Sequence, residues 1–267
     1  MKINPLKEKI RQGQVVCGVW CGIPSPALIE LISAAGVDFV VLDGEHAPFD
    51  IANLENCIRA AEVGGAAALV RSPGHAQGFV QKALDMGAHG VLVPQVATVA
   101  QAQEIARWFR FAPEGTRGLN PFVRVGGYGN LSQSRLSSDW ALSCVLVESP
   151  EGFAALDEIA ATSGIDMVFL GAYDYSATIG KAGQMDDPQV RAFVEQGIAR
   201  IRAAGKIPFV LQRVPERIEA ALQQGAQVVA IDLDTAAIQQ LFAARVDMFR
   251  SLTTAPITAP IPGGSSH

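Results

Sequence analysis

Two acidic residues follow two apolar stretches in the second half of the chain. Glu148 comes directly after Cys144–Val147, and Asp174 comes shortly after Asp166–Gly171. Apolar runs of this length predict buried parallel strands. A carboxylate at the end of such a strand needs water, a cation or a substrate, because burying it without a partner is strongly unfavourable. Two such acids on successive strands predict an oxygen-lined site that suits Mg²⁺ or Mn²⁺.

Groups that could complete a reaction centre follow two other apolar runs. Asp43 and His46 come after Val37–Leu42, and Arg71 comes after Ala67–Val70. An imidazole is suited to proton transfer near neutral pH, and a neighbouring carboxylate can orient it. A guanidinium offers a planar fork for a carboxylate or an enolate oxygen. A cation, an anion-binding group and a base together suit proton or aldol chemistry beside the carbonyl of a 2-oxo acid.

Each of these residues also has a structural interpretation. His46 could be a loop residue or a helix cap, and Arg71 could form a structural pair with Glu45 or Asp43. Asp174 could cap a short helix that starts at Ser176. The joint pattern favours chemistry, because the ionisable groups gather after the apolar runs while the runs themselves contain almost none.

The elements that must position these groups are read from a repeating pattern. The predicted strands are Val15–Trp20, Val37–Leu42, Ala67–Val70, Gly90–Val93, Cys144–Val147, Met167–Leu170, Ile207–Leu211 and Val228–Ile231. The predicted helices between them, several preceded by a capping residue or followed by glycine, are Pro26–Ala35, Ile51–Val63, Gln77–Met86, Val99–Trp108, Phe153–Thr162, Pro188–Ala204, Pro215–Gln224 and Thr235–Leu252. Eight alternating units predict an α/β fold, a single (β/α)₈ TIM barrel over residues 1–252, with chemistry at the C-terminal ends of its strands.

A doubly wound open sheet is the alternative architecture. Such a sheet usually carries a glycine-rich phosphate turn after its first strand, whereas residues 21–26 read Cys-Gly-Ile-Pro-Ser-Pro. The stretch from Arg110 to Ser143 interrupts the repeat and is rich in glycine and proline. Long loops in compact domains are often lids or binding loops, so we expect this stretch to lie over the barrel mouth.

Composition narrows the class of function. The chain has 267 residues, of which 49% are hydrophobic, and this share favours a large core. The net charge of −5 argues against nucleic acid as a partner. Four cysteines do not make a disulfide scaffold. We expect a cytoplasmic protein with no membrane contact, because no apolar run is long enough to span a bilayer and the first residues lack a signal-peptide core. Residues 253–267 predict a flexible tail.

Several stretches of the chain resemble the HpcH/HpaI family of metal-dependent aldolases. In family order they are Val40–Pro48, Arg71, Ala83–Ala88, Val91–Gln95, Ala112–Gly118, Val147–Glu148, Gly164–Gly171 and Asp174–Ser176. The specific segment among them is the run Asp-Gly-Glu-His-Ala-Pro at residues 43–48. The resemblance implies a barrel of the phosphoenolpyruvate/pyruvate type. It also implies reversible cleavage of a 4-hydroxy-2-oxo acid to pyruvate and an aldehyde, usually by a homohexamer whose last helix is exchanged between neighbours.

The same resemblance implies a divalent metal cation, Mg²⁺, Mn²⁺ or Co²⁺, on Glu148 and Asp174. Pyruvate or a related 2-oxo acid would chelate this metal, with its carboxylate at the backbone of Tyr173 and Asp174. Gln95 is a further candidate for binding the substrate.

The resemblance also implies roles for the groups that follow the second and third runs. Arg71 would steady the enolate. The pair formed by His46 and Asp43 would handle protons through water.

Three positions depart from the aldolase pattern around the expected substrate. Leu146 replaces a glutamine, Tyr175 replaces a leucine, and residues 119–124 differ from the usual segment of small residues. One branch of the family resembles siderophore citrate synthases, which condense oxaloacetate with acetyl-CoA, and Arg124 could bind the extra carboxylate of that reaction. A barrel that binds a 2-oxo acid without turnover is the third possibility.

Overall fold

Eight parallel strands form a closed barrel in the computed structural model, which describes residues 3–253. Strands β1 to β8 are Val16–Cys21, Phe39–Asp43, Ala67–Arg71, Gly90–Val93, Leu142–Val147, Met167–Leu170, Ile207–Leu211 and Val228–Leu233. Each strand pairs with the next, and β8 pairs with β1 to close the barrel. The predicted (β/α)₈ architecture is therefore confirmed. The predicted tail, residues 253–267, lies outside the described residues except for Thr253.

Helices follow the strands much as the sequence predicts. Helices α1 to α11 are Pro5–Arg11, Pro26–Ala34, Ile51–Val63, Gln77–Asp85, Val99–Trp108, Pro150–Ala154, Leu156–Ala161, Ala172–Thr178, Pro188–Ala203, Pro215–Gln224 and Asp234–Leu252. The one helix expected over Phe153–Thr162 is instead two short helices that meet at Ala155. Pro150 begins the first of these because proline suits the first helical position, where its missing N–H has no helical partner to lose. None of the described helices is long and apolar enough to span a membrane.

Helix α1, which the repeat pattern does not predict, packs against the interior of the barrel. Leu6 and Ile10 are buried and belong to the apolar cluster inside the barrel. Asn4 caps the helix, and its side-chain amide donates to the backbone oxygens of His89 and Trp140 at 2.7 and 2.9 Å. The contacts of α1 therefore place it at the end of the barrel where the strands begin.

The interior of the barrel is filled by aromatic and aliphatic side chains. Phe169 lies 4.9 Å from Phe209 and 5.2 Å from Trp20, measured between ring centroids. Leu146 is fully buried in the same cluster. Inward and outward side chains alternate along barrel strands, so this cluster forms an apolar floor beneath the strand ends.

The long stretch after α5 does not cover the barrel mouth as expected. Arg117 donates to Asp85 at 3.0 Å, and Arg124 donates to Glu62 at 2.6 Å and to the backbone oxygen of Met86 at 2.9 Å. Glu62 and Met86 lie at the C-terminal ends of α3 and α4, which return to the opposite end of the barrel from the strand ends. These long-range ion pairs fix the stretch against the helices, and no local pattern encodes them.

His89 lies beside this attachment and gives a pH-dependent prediction. It is buried, and its Nδ1 accepts the N–H of Ala68 at 3.2 Å. Burial lowers its pKa to about 4, against the opposing charge of Glu62. The imidazole of His89 takes up a proton near pH 6.5 in the unfolded chain but only near pH 4 in the folded chain. The contribution of the neutral imidazole to folding stability is therefore fully present above pH 6.5 and is lost as the pH falls towards 4.

We expect the free energy of unfolding to fall by about 2 kcal/mol between pH 7 and pH 5 through His89. Urea unfolding at both pH values measures this change. The variant His89→Gln should lose that part of the pH dependence, whereas His75→Gln, at an exposed histidine, should keep it. An equal pH dependence in the wild type and in His89→Gln would contradict the prediction.

Candidate active site

A cavity of about 440 Å³ opens where the C-terminal ends of the strands meet. Its ionisable and hydroxyl-bearing lining residues are Asp43, His46, Arg71, Glu148, Tyr173, Asp174 and Thr235. A smaller adjoining cavity is lined by Glu45 and Gln95 together with His46, Glu148 and Asp174. The fold thus brings together every sequence-predicted site residue except Arg124, whose partners lie at the other end of the barrel.

Arg71, the last residue of β3, is held by two carboxylates. Its Nε donates to Oδ1 of Asp43 at 2.9 Å while Nη2 donates to Oδ2, and its Nη1 lies 2.8 Å from Oε2 of Glu45. The guanidinium is nearly buried, and such a fork-shaped pairing fixes its plane. Burial of Asp43 acts to raise its pKa, but the hydrogen bond and charge of Arg71 outweigh burial and hold that pKa below its usual value.

Asp43 does not orient the imidazole of His46 in this structure. Its carboxylate accepts from Arg71, from the indole Nε1 of Trp20 at 3.1 Å, and from the backbone N–H groups of Glu45 and His46 at 3.0 and 3.1 Å. In residues 3–253, no hydrogen bond joins that carboxylate to the His46 ring, which is exposed at the mouth. The expected dyad is therefore corrected: Asp43 positions Arg71 and the turn that carries His46.

Glu148 and Asp174 form the acidic side of the cavity. Glu148 is nearly buried at the end of β5 and accepts the backbone N–H of Gln95 at 2.7 Å. Gln95 is held there with a left-handed φ of 60°, which is uncommon for a residue other than glycine. Burial, followed by the negative charge of Asp174, raises the pKa of Glu148 to about 7. A cation bound between the two carboxylates would favour the ionised form of Glu148.

The donor set fits a hard divalent cation. No cluster of three or more histidine, cysteine or acidic side chains with metal-binding geometry occurs between residues 3 and 253. The two carboxylates of Glu148 and Asp174 would leave the other positions to water and substrate oxygens. Magnesium sites are commonly of this kind, with one or two protein carboxylates and several exchangeable ligands.

A close backbone approach beside Glu148 explains one glycine of the sequence. A Cβ at Gly171 would lie 2.6 Å from the Cβ of Glu148 and 2.8 Å from its Oε2. A side chain at residue 171 would therefore push the carboxylate out of place. Gly171 directly follows β6, which ends at Leu170. Because glycine has no side chain, it leaves space there for the carboxylate of Glu148 at the end of the neighbouring strand β5.

We expect Gly171→Ala to weaken Mn²⁺ binding by at least about tenfold, the scale seen when groups that orient a metal ligand are removed. Isothermal titration calorimetry with MnCl₂ measures the change. Gly78→Ala is the matched control, because a Cβ at Gly78 meets no atom within 4 Å. Equal Mn²⁺ affinity in the two variants would contradict this account of Gly171.

The sequence assigns no role to Trp20, whereas it offers Glu45 as an ion-pair partner of Arg71, and the structure contains that pair. The indole of Trp20 donates to Asp43, and its ring lies 4.9 Å from the guanidinium carbon of Arg71. Glu45 pairs with Arg71 and accepts from the side chain of Gln95 at 3.2 Å. Trp20 stands near the end of β1, which is the signal that could have found it.

Asp234 also supports the site from a distance. It is buried at the start of α11, where its carboxylate accepts the backbone N–H groups of Gly22 and Ile23 at 2.8 and 3.0 Å. Gly22 lines the cavity. Asp234 therefore holds the turn after β1 against the mouth.

Two of the positions that depart from the aldolase pattern lie away from the cavity wall. Leu146 packs inside the barrel, and Tyr175 stacks on Phe193 of α9 with ring centroids 4.0 Å apart. Neither residue lines the main cavity. The expectation that these two changes surround the substrate is therefore corrected, because both side chains serve packing.

Comparison with known proteins points to one family. The family model described as HpcH/HpaI aldolase/citrate lyase matches residues 17–241. A hydroxypyruvate/pyruvate aldolase of Roseobacter denitrificans is 35% identical over 88% of this chain and 92% of its own, and a 2-keto-3-deoxy-L-rhamnonate aldolase of Shigella sonnei is 34% identical over 95% and 96%. The solved citrate synthase SbnG superposes with a TM-score of 0.86 at 32% identity, over 94% of this chain and 100% of its own. The chain belongs to the HpcH/HpaI aldolase/citrate lyase family.

Proposed function

We propose that this protein is a metal-dependent aldolase that adds a pyruvate-type 2-oxo acid to an aldehyde and reverses that addition. The observation that carries the proposal is one cavity that holds both a fixed guanidinium, Arg71, and two carboxylates, Glu148 and Asp174. Relatives named as aldolases, matched over most of the chain, support the same reaction class.

A divalent cation on Glu148 and Asp174 would supply Lewis-acid polarisation of the carbonyl of the 2-oxo acid. We assign the backbone at Tyr173 and Asp174 to bind the carboxylate of that acid. Gln95 is assigned as a further residue that binds the same substrate. Arg71 donates hydrogen bonds to the oxygen on which enolate charge develops. Because Asp43 and Glu45 already fix the guanidinium, it need not reorganise during the reaction.

Proton movement is assigned to His46. In the direction of synthesis, the carbon beside the carbonyl loses a proton through water to the imidazole, and that carbon then forms a bond to the aldehyde carbon. The electron pair of the aldehyde C=O moves to its oxygen, which takes up a proton. Cleavage runs the same steps backwards and releases the aldehyde and the 2-oxo acid.

The test of this function is aldol addition with pyruvate and a panel of aldehydes, each with Mg²⁺ or with EDTA. We expect a 4-hydroxy-2-oxo acid that is detectable by proton NMR in the presence of metal, and a loss of most of this activity in His46→Asn. General acid–base groups contribute about 10²–10⁴-fold to rate, so that loss should be large. The absence of product with every aldehyde would count against the proposal.

Formation of citrate is the second candidate function, favoured by the likeness to the solved citrate synthase. A thiol assay with acetyl-CoA and oxaloacetate tests it, and no release of CoA would remove it. Arg124, the residue expected to bind the extra carboxylate, is instead paired with Glu62.

Metal binding without turnover of any 2-oxo acid would favour a non-catalytic barrel.

Helix α11 supports the proposal of a homo-oligomer, a hexamer by family resemblance. Its apolar side chains that remain exposed in the single chain are Leu241, Phe242, Val246, Met248, Phe249 and Leu252. The main contacts of α11 with its own barrel are to β1 and β8. A second copy of the chain would cover this face. Light scattering of the purified protein measures its molar mass, which shows whether the protein is an oligomer.

A further inference from the structure

We propose that His75 is a positioning residue for the metal-binding carboxylate of Glu148, and that it acts through the peptide bond between Pro94 and Gln95. The inference rests on the proposed function, because it takes Glu148 as a ligand of the divalent cation. It adds a residue from outside the site, since His75 lines neither of the two cavities at the mouth. Hydrogen bonds on opposite sides of one peptide group carry the inference.

The peptide group between Pro94 and Gln95 connects the imidazole to the carboxylate. The N–H of Gln95 donates to Oε1 of Glu148 at 2.7 Å, and the carbonyl oxygen of Pro94 lies 2.9 Å from Nε2 of His75. A carbonyl oxygen accepts hydrogen bonds, so the imidazole must carry a proton on Nε2. The C=O and the N–H of a trans peptide point in opposite directions. The histidine and the carboxylate therefore hold the group from its two sides.

The backbone of Gln95 needs this support because its conformation is unfavourable. Its φ of 60° is uncommon for a residue that has a Cβ. The chain is hydrogen-bonded to β5 on both sides of it, at Val93 and at Val96. Backbone conformations of this kind persist where the surrounding contacts hold them. Loss of the hydrogen bond from His75 would leave the peptide freer to rotate and to turn its N–H away from Glu148.

The turn after β3 places His75 beside the end of β4. Ser72 is fully buried, and its hydroxyl donates to the backbone oxygen of Gly74 at 2.7 Å. The N–H of Ala76 donates to the same oxygen at 2.9 Å. Gly74 has a φ of 145°, a conformation that residues with a side chain rarely adopt. The backbone at His75 is thus fixed by its own turn, whereas the imidazole is exposed and contributes little to the core.

The same peptide group determines which oxygen of Glu148 is open to a cation. Its N–H engages Oε1, whereas Oε2 accepts no hydrogen bond from the residues that the structure describes. A carbonyl that accepts a hydrogen bond polarises its peptide group and strengthens donation by the N–H on the other side. Partners that orient a metal ligand affect the affinity for the metal. His75 would therefore support metal binding without touching either Glu148 or the cation.

Isothermal titration calorimetry with MnCl₂ compares the wild type with His75→Leu and His75→Gln. We expect His75→Leu to weaken Mn²⁺ binding by about tenfold, the lower end of the range for groups that orient a metal ligand. The amide nitrogen of His75→Gln reaches about as far as Nε2 and can donate to Pro94, so this variant should recover most of the affinity. Gly78→Ala is the control close to the same turn, because a Cβ at Gly78 meets no atom within 4 Å.

The Tm of the metal-free protein separates positioning from a general loss of structure. Because the imidazole is exposed, we expect metal-free His75→Leu to unfold at the same temperature as the wild type. Equal Mn²⁺ affinity in the wild type and His75→Leu would overturn the inference alone. Equal weakening in His75→Leu and His75→Gln, or weakening that comes with a lower metal-free Tm, would also overturn it. A wild type that binds no Mn²⁺ would overturn the proposed metal site as well.

Discussion

Replacing Arg71 with alanine should lower kcat/KM for aldol addition by about 10²–10³-fold, the loss typical of removing one donor to a developing oxyanion. The guanidinium is the one cation that lines the main cavity in residues 3–253, and Asp43 and Glu45 hold it in place. Arg71→Lys should recover little of the loss, because an ammonium group cannot reproduce the two parallel hydrogen bonds to Asp43. Initial rates with pyruvate and the aldehyde of the panel that reacts fastest with the wild type measure both variants.

Stability is measured beside activity, because Arg71→Ala also leaves two nearly buried carboxylates without their partner. The pKa of Asp43, now held low by Arg71, should rise in the variant. We expect a lower Tm with a cooperative transition, and activity is compared at a temperature where the variant is folded. Arg59→Ala is the control for loss of an exposed arginine that pairs with Glu55. Unchanged kcat/KM in folded Arg71→Ala would show that the arginine serves the structure only.

Loss of either acid should abolish tight metal binding. We expect Glu148→Gln and Asp174→Asn each to weaken Mn²⁺ binding by more than about 100-fold, because even groups that only orient metal ligands are worth 10–100-fold. Isothermal titration calorimetry measures the affinity directly, without reliance on turnover. Glu151→Gln removes an exposed acid in the first turn of α6 and should bind Mn²⁺ as the wild type does. Equal affinity in all three variants would place the metal elsewhere.

The barrel was predictable because its signals are local and repeated. Runs such as Gly90–Val93 and Met167–Leu170 are observed as strands with the predicted bounds. A short apolar run between helical segments is typical of a buried parallel strand. Parallel closure then brings all strand ends to one face. Glu148 and Arg71 share a cavity for that reason, although 77 positions separate them in the sequence.

Other features depend on contacts that no local pattern encodes. Helix α1 has seven residues, too few for a reliable apolar period, and its role comes from Leu6 and Ile10 packing into the barrel. Arg124 looked available for a substrate because its partner, Glu62, lies 62 positions earlier in the chain. The sequence placed Asp43 near His46 but could not show that Arg71, Trp20 and two backbone N–H groups engage both carboxylate oxygens.

The central claim is that Glu148 and Asp174 hold a divalent cation with which this chain removes a proton from a 2-oxo acid. The most direct measurement is proton NMR of pyruvate in D₂O, which follows exchange of the methyl protons without any aldehyde. We predict exchange with Mg²⁺, Mn²⁺ or Co²⁺, its loss on addition of EDTA, and its recovery when excess metal is added to the wild type but not to Glu148→Gln. Exchange that persists in EDTA, or no exchange with any of the three metals, would contradict the account.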